Sequence, residues 1–528
     1  MPNEAELNTG INNIMRLALR RLESERKKRV FYKIPFELEF LKADVIAWLQ
    51  PLQRQLDAPD YVPSTASFLD TPKADWHIRP ASVITLNDQL AYHYISLICL
   101  PNIRHHLEWA EGTIRFSNKI LPETENYWFA EMFTGWNRFR EKSIELLGSG
   151  YNFVLETDIS GYYENIDISR LIRELRSLGI DPERLTNLST CLNKWAEPRG
   201  RGIPQGFSPS ELFAEFYLDP LDRHLHSEQF IHLRYMDDIR VFTGTERDAR
   251  RALHALTIHL RERGLNLQTA KTKILPSVDA INSYNKIYQI IEAVAEQLAE
   301  ELSQLEDIGD PYWGSVEDQI QELVSTNPDS PSIDVLNQTW ADFTAGNLGV
   351  FDKTLVHFLI KRMSGVMPKD FVISTILDHP EETEECLAYL RRILPILDQD
   401  DIDRVGSVLR SPDCLYEYQK YLILKWFLEN AIRNNLVIFY ARRKIQNAGG
   451  NFLCRAYSYA YIGLFAEAHD YETLQRAYIS TNDWTERATI ICAMRSAPVA
   501  IRNHFYGRIR GENPLTDRAL QWSCQQTS

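Results

Sequence analysis

Arg234-Tyr235-Met236-Asp237-Asp238-Ile239-Arg240-Val241-Phe242 sets two adjacent carboxylates between two runs of strand-forming residues. Strand types flanking a tight Met-Asp turn predict a β-hairpin with its acids at the tip. An isolated Asp-Asp in a turn is ordinarily just a solvated turn, but here two further segments accompany it. Phe153-Val154-Leu155-Glu156-Thr157-Asp158-Ile159-Ser160-Gly161-Tyr162-Tyr163 reads as an apolar strand ending in an acid, followed by glycine and aromatics. Between the two acidic segments lies Arg201-Gly202-Ile203-Pro204-Gln205-Gly206-Phe207-Ser208-Pro209, a loop punctuated by Gly and Pro.

This order suits one chemistry. Joining a nucleotide requires a 3′-hydroxyl to lose its proton and a pyrophosphate leaving group to be neutralised. Two Mg²⁺ ions about 4 Å apart do both. Mg²⁺ takes hard oxygen ligands and shares its sphere with substrate phosphates. A strand-end carboxylate plus a carboxylate pair in a hairpin turn supplies the protein's part of that bridge.

The three segments together resemble the palm of reverse transcriptases. The resemblance continues downstream through Gly264-Leu265-Asn266-Leu267 and Lys271-Thr272-Lys273, and upstream through Ile78-Arg79-Pro80 and Asn87-Asp88-Gln89. It covers residues 70–276, about two fifths of the chain. It implies that Asp158, Asp237 and Asp238 are the catalytic acids, with Asp158 and Asp237 the more direct ligands of two Mg²⁺ ions (Mn²⁺ as an alternative). Tyr163 matches the aromatic that closes on the sugar where a 2′-hydroxyl would sit, so deoxynucleotides are favoured. Gln205 and Gly206 would line the incoming nucleotide. Arg79 and Lys73 match the residues that clamp the triphosphate, since a guanidinium pairs bidentately with phosphate. Lys271 or Lys273 would protonate the pyrophosphate, and the sequence does not choose between them. Tyr235 and Met236 would support the hairpin and the primer end.

Outside the palm the chain departs from retroviral, retron and intron enzymes. No basic thumb and no primer-grip hairpin follow Lys273; Ser283-Tyr284-Asn285 is all that comes next. Residues 291–350 hold 13 Asp plus Glu and no Lys or Arg. Beyond them the pattern is helical, with Leu355, Phe358 and Leu359, and again Leu387, Leu390 and Leu394, at helical spacing. Pro368, Pro380, Pro395 and Pro412 mark recurrent stops. Short helices joined by short loops predict an α-solenoid-like array, with a plain helical bundle as the alternative. This layout is similar to the bacterial abortive-infection and defence-associated reverse transcriptases. The expected fold class is therefore α+β: right-hand-like fingers (about 30–150) and palm (about 151–290) within residues 1–290, then an all-α HEAT-like repeat domain over 291–528.

Composition bounds the rest. The chain has 528 residues, 44% hydrophobic and 25% charged, with a formal net charge of −14. That is an ordinary globular composition and excludes disordered, collagen-like and disulfide-scaffold classes. The seven cysteines are scattered singly, as in a reducing compartment. No secretory signal, bilayer-length apolar run, Walker loop or G-x-S-x-G is read, so the expected setting is the cytoplasm, a bacterial one as the resemblance implies, with no membrane partner. Residues 16–33 hold eight basic residues and predict a basic helix, either a solvated face or a phosphate-binding arm. His105-His106 reads as a polar helix face, and Arg442-Arg443-Lys444 as a solvated face rather than a nucleic-acid patch.

The sequence thus predicts an Mg²⁺-dependent DNA polymerase of the reverse-transcriptase class that adds dNTPs, either RNA-directed or template-independent. Without thumb or primer grip, a long duplex has no evident electrostatic grip. The family resemblance implies one way out: single-stranded DNA grown from a tyrosine of the protein itself, in antiphage abortive infection. The alternatives are a templated enzyme of a mobile element or noncoding RNA, an RNA-dependent RNA polymerase, and a non-enzymatic scaffold with a relic palm. Helical arrays offer extended protein-binding faces, so a homo-oligomer is expected.

Overall fold

Apolar residues stand side by side in Phe153-Val154-Leu155 and in Val241-Phe242, and the pleat sends such neighbours to opposite faces. The result is a sheet buried on both sides. In the computed structural model the described residues are 10–28, 32–73, 76–130, 132–196, 200–285, 338, 341, 369–447 and 451–526. The acidic tract, the expected boundary near residue 290, and Leu355, Phe358 and Leu359 lie outside them.

Two strands, β1 (Ser67–Pro72) and β2 (Ile78–Val83), form an antiparallel ribbon. The other four make an antiparallel sheet: β3 (Phe153–Thr157), β4 (Ile231–Tyr235), β5 (Asp238–Thr243) and β6 (Lys273–Pro276), in spatial order β4-β5-β3-β6. Val154 faces Phe242 across the ladder and Leu155 faces Val241. Leu155, Ile239 and Val241 join the main core. Val154, Leu233 and Phe242 join a second cluster with Phe116, Phe139, Ala280 and Tyr284.

Helices cover both faces. In order, the first half holds α1 (Asn13–Lys28), α2 (Glu37–Lys42), α3 (Val45–Asp57), α4 (Leu86–Leu107), α5 (Met132–Gly148), α6 (Tyr162–Asn165), α7 (Ile168–Ser177), α8 (Pro182–Trp195), α9 (Ser208–Ser227) and α10 (Glu246–Glu262). The last of these shows why such a helix forms. Ala249, Ala252, Leu256 and Leu260 make its buried stripe, and the Thr245 side chain caps it by accepting from Asp248 N at 3.2 Å. It packs on β3 and β5, while α5 closes the other face against β4 and β5.

The basic helix α1 is neither a solvated face nor an arm. Met15, Ala18 and Leu22 are buried, and it packs along α4. Two of its arginines serve the interior: Arg21 donates to the carbonyls of Pro122 and Glu125 and lies over the Trp128 ring, while Arg26 reaches Gln89.

The second half is helical among the described residues: α11 (Lys369–Asp378), α12 (Thr383–Arg392), α13 (Gln399–Val408), α14 (Glu417–Glu429), α15 (Asn435–Gln446), α16 (Phe452–Phe465), α17 (Ala468–Ser480), α18 (Trp484–Ala493), α19 (Val499–Ile509) and α20 (Pro514–Gln525). Pro380, Pro395 and Pro412 each fall between helices, as the sequence suggests. Leu387 and Leu390 are buried in α12, but Leu394 sits past its end in a short 3₁₀ turn. From α11–α13 through α16–α18, each helix packs against the one two positions on, and α18 then packs on α20. That order of contacts is a two-row stack.

The array docks on the first half. Helix α14 packs on β1, and α20 on α2. Tyr421 Oη accepts from Lys33 N at 3.0 Å, Asn451 Nδ2 donates to Phe68 O at 2.9 Å, and Tyr416 Oη donates to Trp76 O at 2.9 Å. One hydrophobic cluster runs from Ile11 to Leu520 through both halves. No disulfide is present, and six of the seven thiols are buried. No helix among the described residues is long and apolar enough to cross a membrane.

Candidate active site

Strand register brings the acids together. The last β3–β5 pair is Thr157 with Ile239, so continuing that register sets Asp158 opposite Asp238, the first residue of β5. Tyr235 pairs with Asp238 and closes the hairpin over Met236 and Asp237. The segment after α10 runs beside the same strand end. Ser160 N donates to Asn266 O at 2.8 Å and Gln268 N to Asp158 O at 2.7 Å. A 3₁₀ turn then presents Lys271, whose Nζ lies 2.6 Å from Asp158 Oδ2. Glu156, Asp158, Asp238, Lys271 and Lys273 line one cleft of about 290 Å³.

The electrostatics follow from crowding like charges in a sheltered place. Burial raises the Asp237 carboxyl to about 7, with Asp158, by charge and by hydrogen bond, and Asp238 adding to the rise. Burial and then Asp158 raise Asp238 to about 6, against the opposing pull of Lys271 and Arg240. Burial works against the Lys271 ammonium, but its bond to Asp158 and the charges of all three acids outweigh it and raise its pKa. Of the two candidate lysines, Lys271 is therefore the one bonded to a site acid. Lys273, in β6 opposite Glu156, is exposed at the rim.

The hairpin tip is strained and clamped. Met236 has φ 55°, a left-handed value uncommon for a residue with a side chain. Two bonds hold it there: Met236 N donates to Ser117 Oγ at 2.9 Å, and Arg234 Nη1 donates to Met236 O at 2.9 Å. Arg234 is itself fully buried. It forks onto Asp222, with Nη2 at 2.7 Å from Oδ2, and reaches Glu215 Oε2 at 2.9 Å. Glu215 in turn accepts from Ser117 Oγ, closing the loop. Burial pushes Asp222 up, but the charge and hydrogen bonds of Arg234 together with those of His232 outweigh it and hold the carboxyl at about 2. Sequence reasoning assigned no role to Arg234, Glu215, Asp222 or Ser117. The available signal was charge at Glu215, Asp219 and Asp222 among the apolar residues of Leu212–Leu225, beside a hairpin Arg. Tyr235 packs edge-on to Trp136 at 5.0 Å, so it supports the hairpin as expected.

The remaining expected residues gather around this centre. Tyr163 is half-buried against Tyr162. Burial and then the charges of Glu211 and Asp237 raise its phenol well above the usual value. The Gln205-Gly206 turn is stitched to the same region, because Ile203 N donates to Tyr163 O at 3.0 Å and Gly202 N to Ile166 O at 2.9 Å. Gly206 adopts φ 94°, which glycine tolerates without strain. Arg79 stands in β2 opposite Thr71 of β1, and Lys73 follows β1 directly. The Lys73 ammonium is lowered by burial and then by Arg79 and Lys271, while Asp158 and Asp237 pull the other way. Those influences put the β1–β2 ribbon within electrostatic reach of the acids.

Other expectations need correction. His106 is not merely a polar face: its Nε2 lies 2.8 Å from Asp219 Oδ2 and its ring packs on Phe216. Arg442-Arg443-Lys444 is not one solvated run, since Arg442 pairs with Asp470 and Lys444 with Glu417. The reading that no hairpin follows Lys273 needs no such correction over 277–285, which are helical, with Tyr284 under the Arg240 guanidinium at 3.8 Å bracing the sheet.

The donor set suits divalent cations of the Mg²⁺ kind, because hard carboxylate oxygens face one another with one ammonium between them. Asp158 and Asp237 would hold the ion most directly. The three acids do not converge on one point. Among the described residues, the trio of metal-binding types whose ligand atoms all lie within 4.8 Å is Glu467, His469 and Asp470, two exposed residues and a buried one, engaged by Arg442 and Arg433.

Of the comparisons with known proteins, the match to a family model bears on this region. No curated protein matches the chain. Solved structures similar to it include telomerase from Candida albicans in complex with the TWJ fragment of telomeric RNA, at 11% identity and TM-score 0.30, covering 71% of this chain and 65% of that one. Apo telomerase from Candida tropicalis matches at 11% identity and TM-score 0.31, covering 62% of this chain and 68% of that one. Both likenesses are distant, and the chain spans about two thirds of their length. Residues 106–292 match the family described as reverse transcriptase (RNA-dependent DNA polymerase). Over that span, about a third of the chain, the protein carries a region matching a reverse transcriptase domain, a domain of the nucleotidyltransferase class.

Proposed function

We propose that this chain is an Mg²⁺-dependent DNA polymerase that adds dNTPs to a growing strand at the cleft between β3 and the β4–β5 turn. The observation that carries the reading is the register that sets Asp158 opposite Asp238, beside Asp237 and with Lys271 on Asp158. Bound divalent cations would supply an activated 3′-hydroxyl and a neutralised leaving pyrophosphate. The chain's own residues do the rest. Asp158 and Asp237 hold the metal-facing oxygens, Asp238 shapes the cleft, and the Arg234 clamp fixes the tip that presents them. Lys73 and Arg79 meet the triphosphate from the β1–β2 ribbon. Gln205 and Gly206 form the nucleotide's floor beside Tyr163, whose ring leaves no room for a 2′-hydroxyl. Lys271 delivers a proton to the departing pyrophosphate, with Lys273 behind it. Purified full-length protein with labelled dNTPs and Mg²⁺ should incorporate label, and Asp237→Ala with Asp238→Ala should abolish incorporation. Undiminished incorporation by the double variant would refute the metal-site assignment.

The finer reading is a strand grown from a tyrosine of the chain, in bacterial antiphage defence, by an oligomer of palm units carrying HEAT-like arrays. Its support is the layout, in which a stacked helical array follows the palm. Of the described tyrosines, Tyr127 alone is exposed, which makes its side chain the one to test first. DNA from cells should then resist phenol extraction until protease is added, and Tyr127→Phe should remove that resistance. Label distributed on free oligonucleotide ends would exclude tyrosine priming. Copurified RNA whose sequence the product follows would favour the templated alternative.

A further inference from the structure

Away from the palm, α14 and α15 and the end of α13 enclose a groove of about 440 Å³ in which cations outnumber acids. Four cations line it: Arg410, Lys420, Arg443 and Lys444. The one acid present, Glu417, is shared between Lys420 at 3.2 Å and Lys444 at 2.9 Å. Arg410 and Arg443 have no carboxylate partner among the described residues. The groove therefore keeps an excess of positive charge in a protein of formal charge −14. It also holds an aromatic platform. Phe439 is 54% exposed, and the Arg410 guanidinium lies 5.1 Å from its ring centroid. An exposed aromatic ring beside arginines without a carboxylate partner offers a face on which a base can stack. Glu417 also borders a neighbouring cleft formed with Ser67, Phe68 and Asp70 of β1. The two clefts thus lead from the helical array to the ribbon that carries Lys73 and Arg79.

We infer that this groove binds single-stranded nucleic acid, with phosphates on Arg410, Arg443 and the lysine pair, and a base stacked on Phe439. The inference rests on the polymerase reading for the identity of the strand. An acidic peptide would use the cations but would leave the exposed ring without a role.

The test is anisotropy of a fluorescein-labelled, mixed-sequence single-stranded DNA oligonucleotide titrated with the full chain at several salt concentrations. Arg410→Gln with Arg443→Gln should weaken binding about tenfold or more and flatten the slope of log affinity on log salt by roughly 1.4, the share of two phosphates. Phe439→Ala should weaken binding about tenfold while leaving the slope unchanged. Arg443→Lys should retain the slope. All these side chains are at the surface, and melting curves matching the parent confirm that the variants fold. Unchanged affinity and slope in both neutral variants would overturn the inference. So would a polyglutamate peptide that binds as tightly as the oligonucleotide and is indifferent to Phe439→Ala. Incorporation of labelled dNTP by the parent protein in the same preparation decides the polymerase reading separately: incorporation with an unaltered groove phenotype sinks only the groove.

Discussion

At the scale of single residues, the site depends on groups that repel one another being held still. Asp158, Asp237 and Asp238 were legible in the sequence because each sits at a turn or strand end within a short recognisable segment. Arg234 was not, because its meaning lies in Glu215 and Asp222, which come from a helix and meet it only in the fold. A buried ion pair adds little net stability, but removing one partner strands the others uncompensated. Arg234→Met is therefore expected to cost roughly 3–5 kcal/mol in denaturant unfolding and to cut incorporation, as the Met236 turn loses the bond to its carbonyl. Arg234→Lys, which keeps charge without the fork, should fall between. Unaltered stability in Arg234→Met would contradict the clamp. The Tyr163 role has its own readout: Tyr163→Ala should admit ribonucleotides, and unchanged sugar discrimination would remove Tyr163 from the nucleotide site.

At the scale of elements, hydrophobic period and capping explain where helices and strands lie, but not which charged faces are buried. The basic residues of α1 read as a surface feature, yet Arg21 and Arg26 spend their charge on interior carbonyls and amides across long sequence separations. Glu37 of α2 is the acidic counterpart. It is fully buried, its Oε1 accepts from Leu86 N at 3.0 Å, and its Oε2 finds no partner among the described residues. Burial raises its pKa to about 7 from an ordinary 4.5. The folded state thus binds a proton that the unfolded state releases between about pH 4.5 and 7, so stability falls as pH rises through that window. Glu37→Gln should flatten this dependence, gaining on the order of 3 kcal/mol relative to the parent above pH 7. Parallel pH–stability curves for the two proteins would show that Glu37 is not the titrating group.

At the scale of the whole molecule, the first half and the helical array share one continuous core. The sequence announced a palm and a run of helices but not their union, because the contacts pair residues hundreds of positions apart, such as Phe68 with Asn451 and Lys33 with Tyr421. Shared burial predicts cooperativity: thermal unfolding of the full chain should show a single calorimetric transition across both halves. Two well-separated transitions would mean the halves fold independently.

The central claim is that the acids at the end of β3 and the tip of the β4–β5 hairpin together hold divalent cations. The direct measurement is Mn²⁺ binding, by electron paramagnetic resonance, to the full chain with a dNTP present. Asp158→Asn and Asp237→Asn should each weaken binding at least about tenfold, while Asp470→Asn in the trio of the helical array should leave the palm signal unchanged. Equal Mn²⁺ affinity in the parent, Asp158→Asn and Asp237→Asn proteins would contradict that assignment.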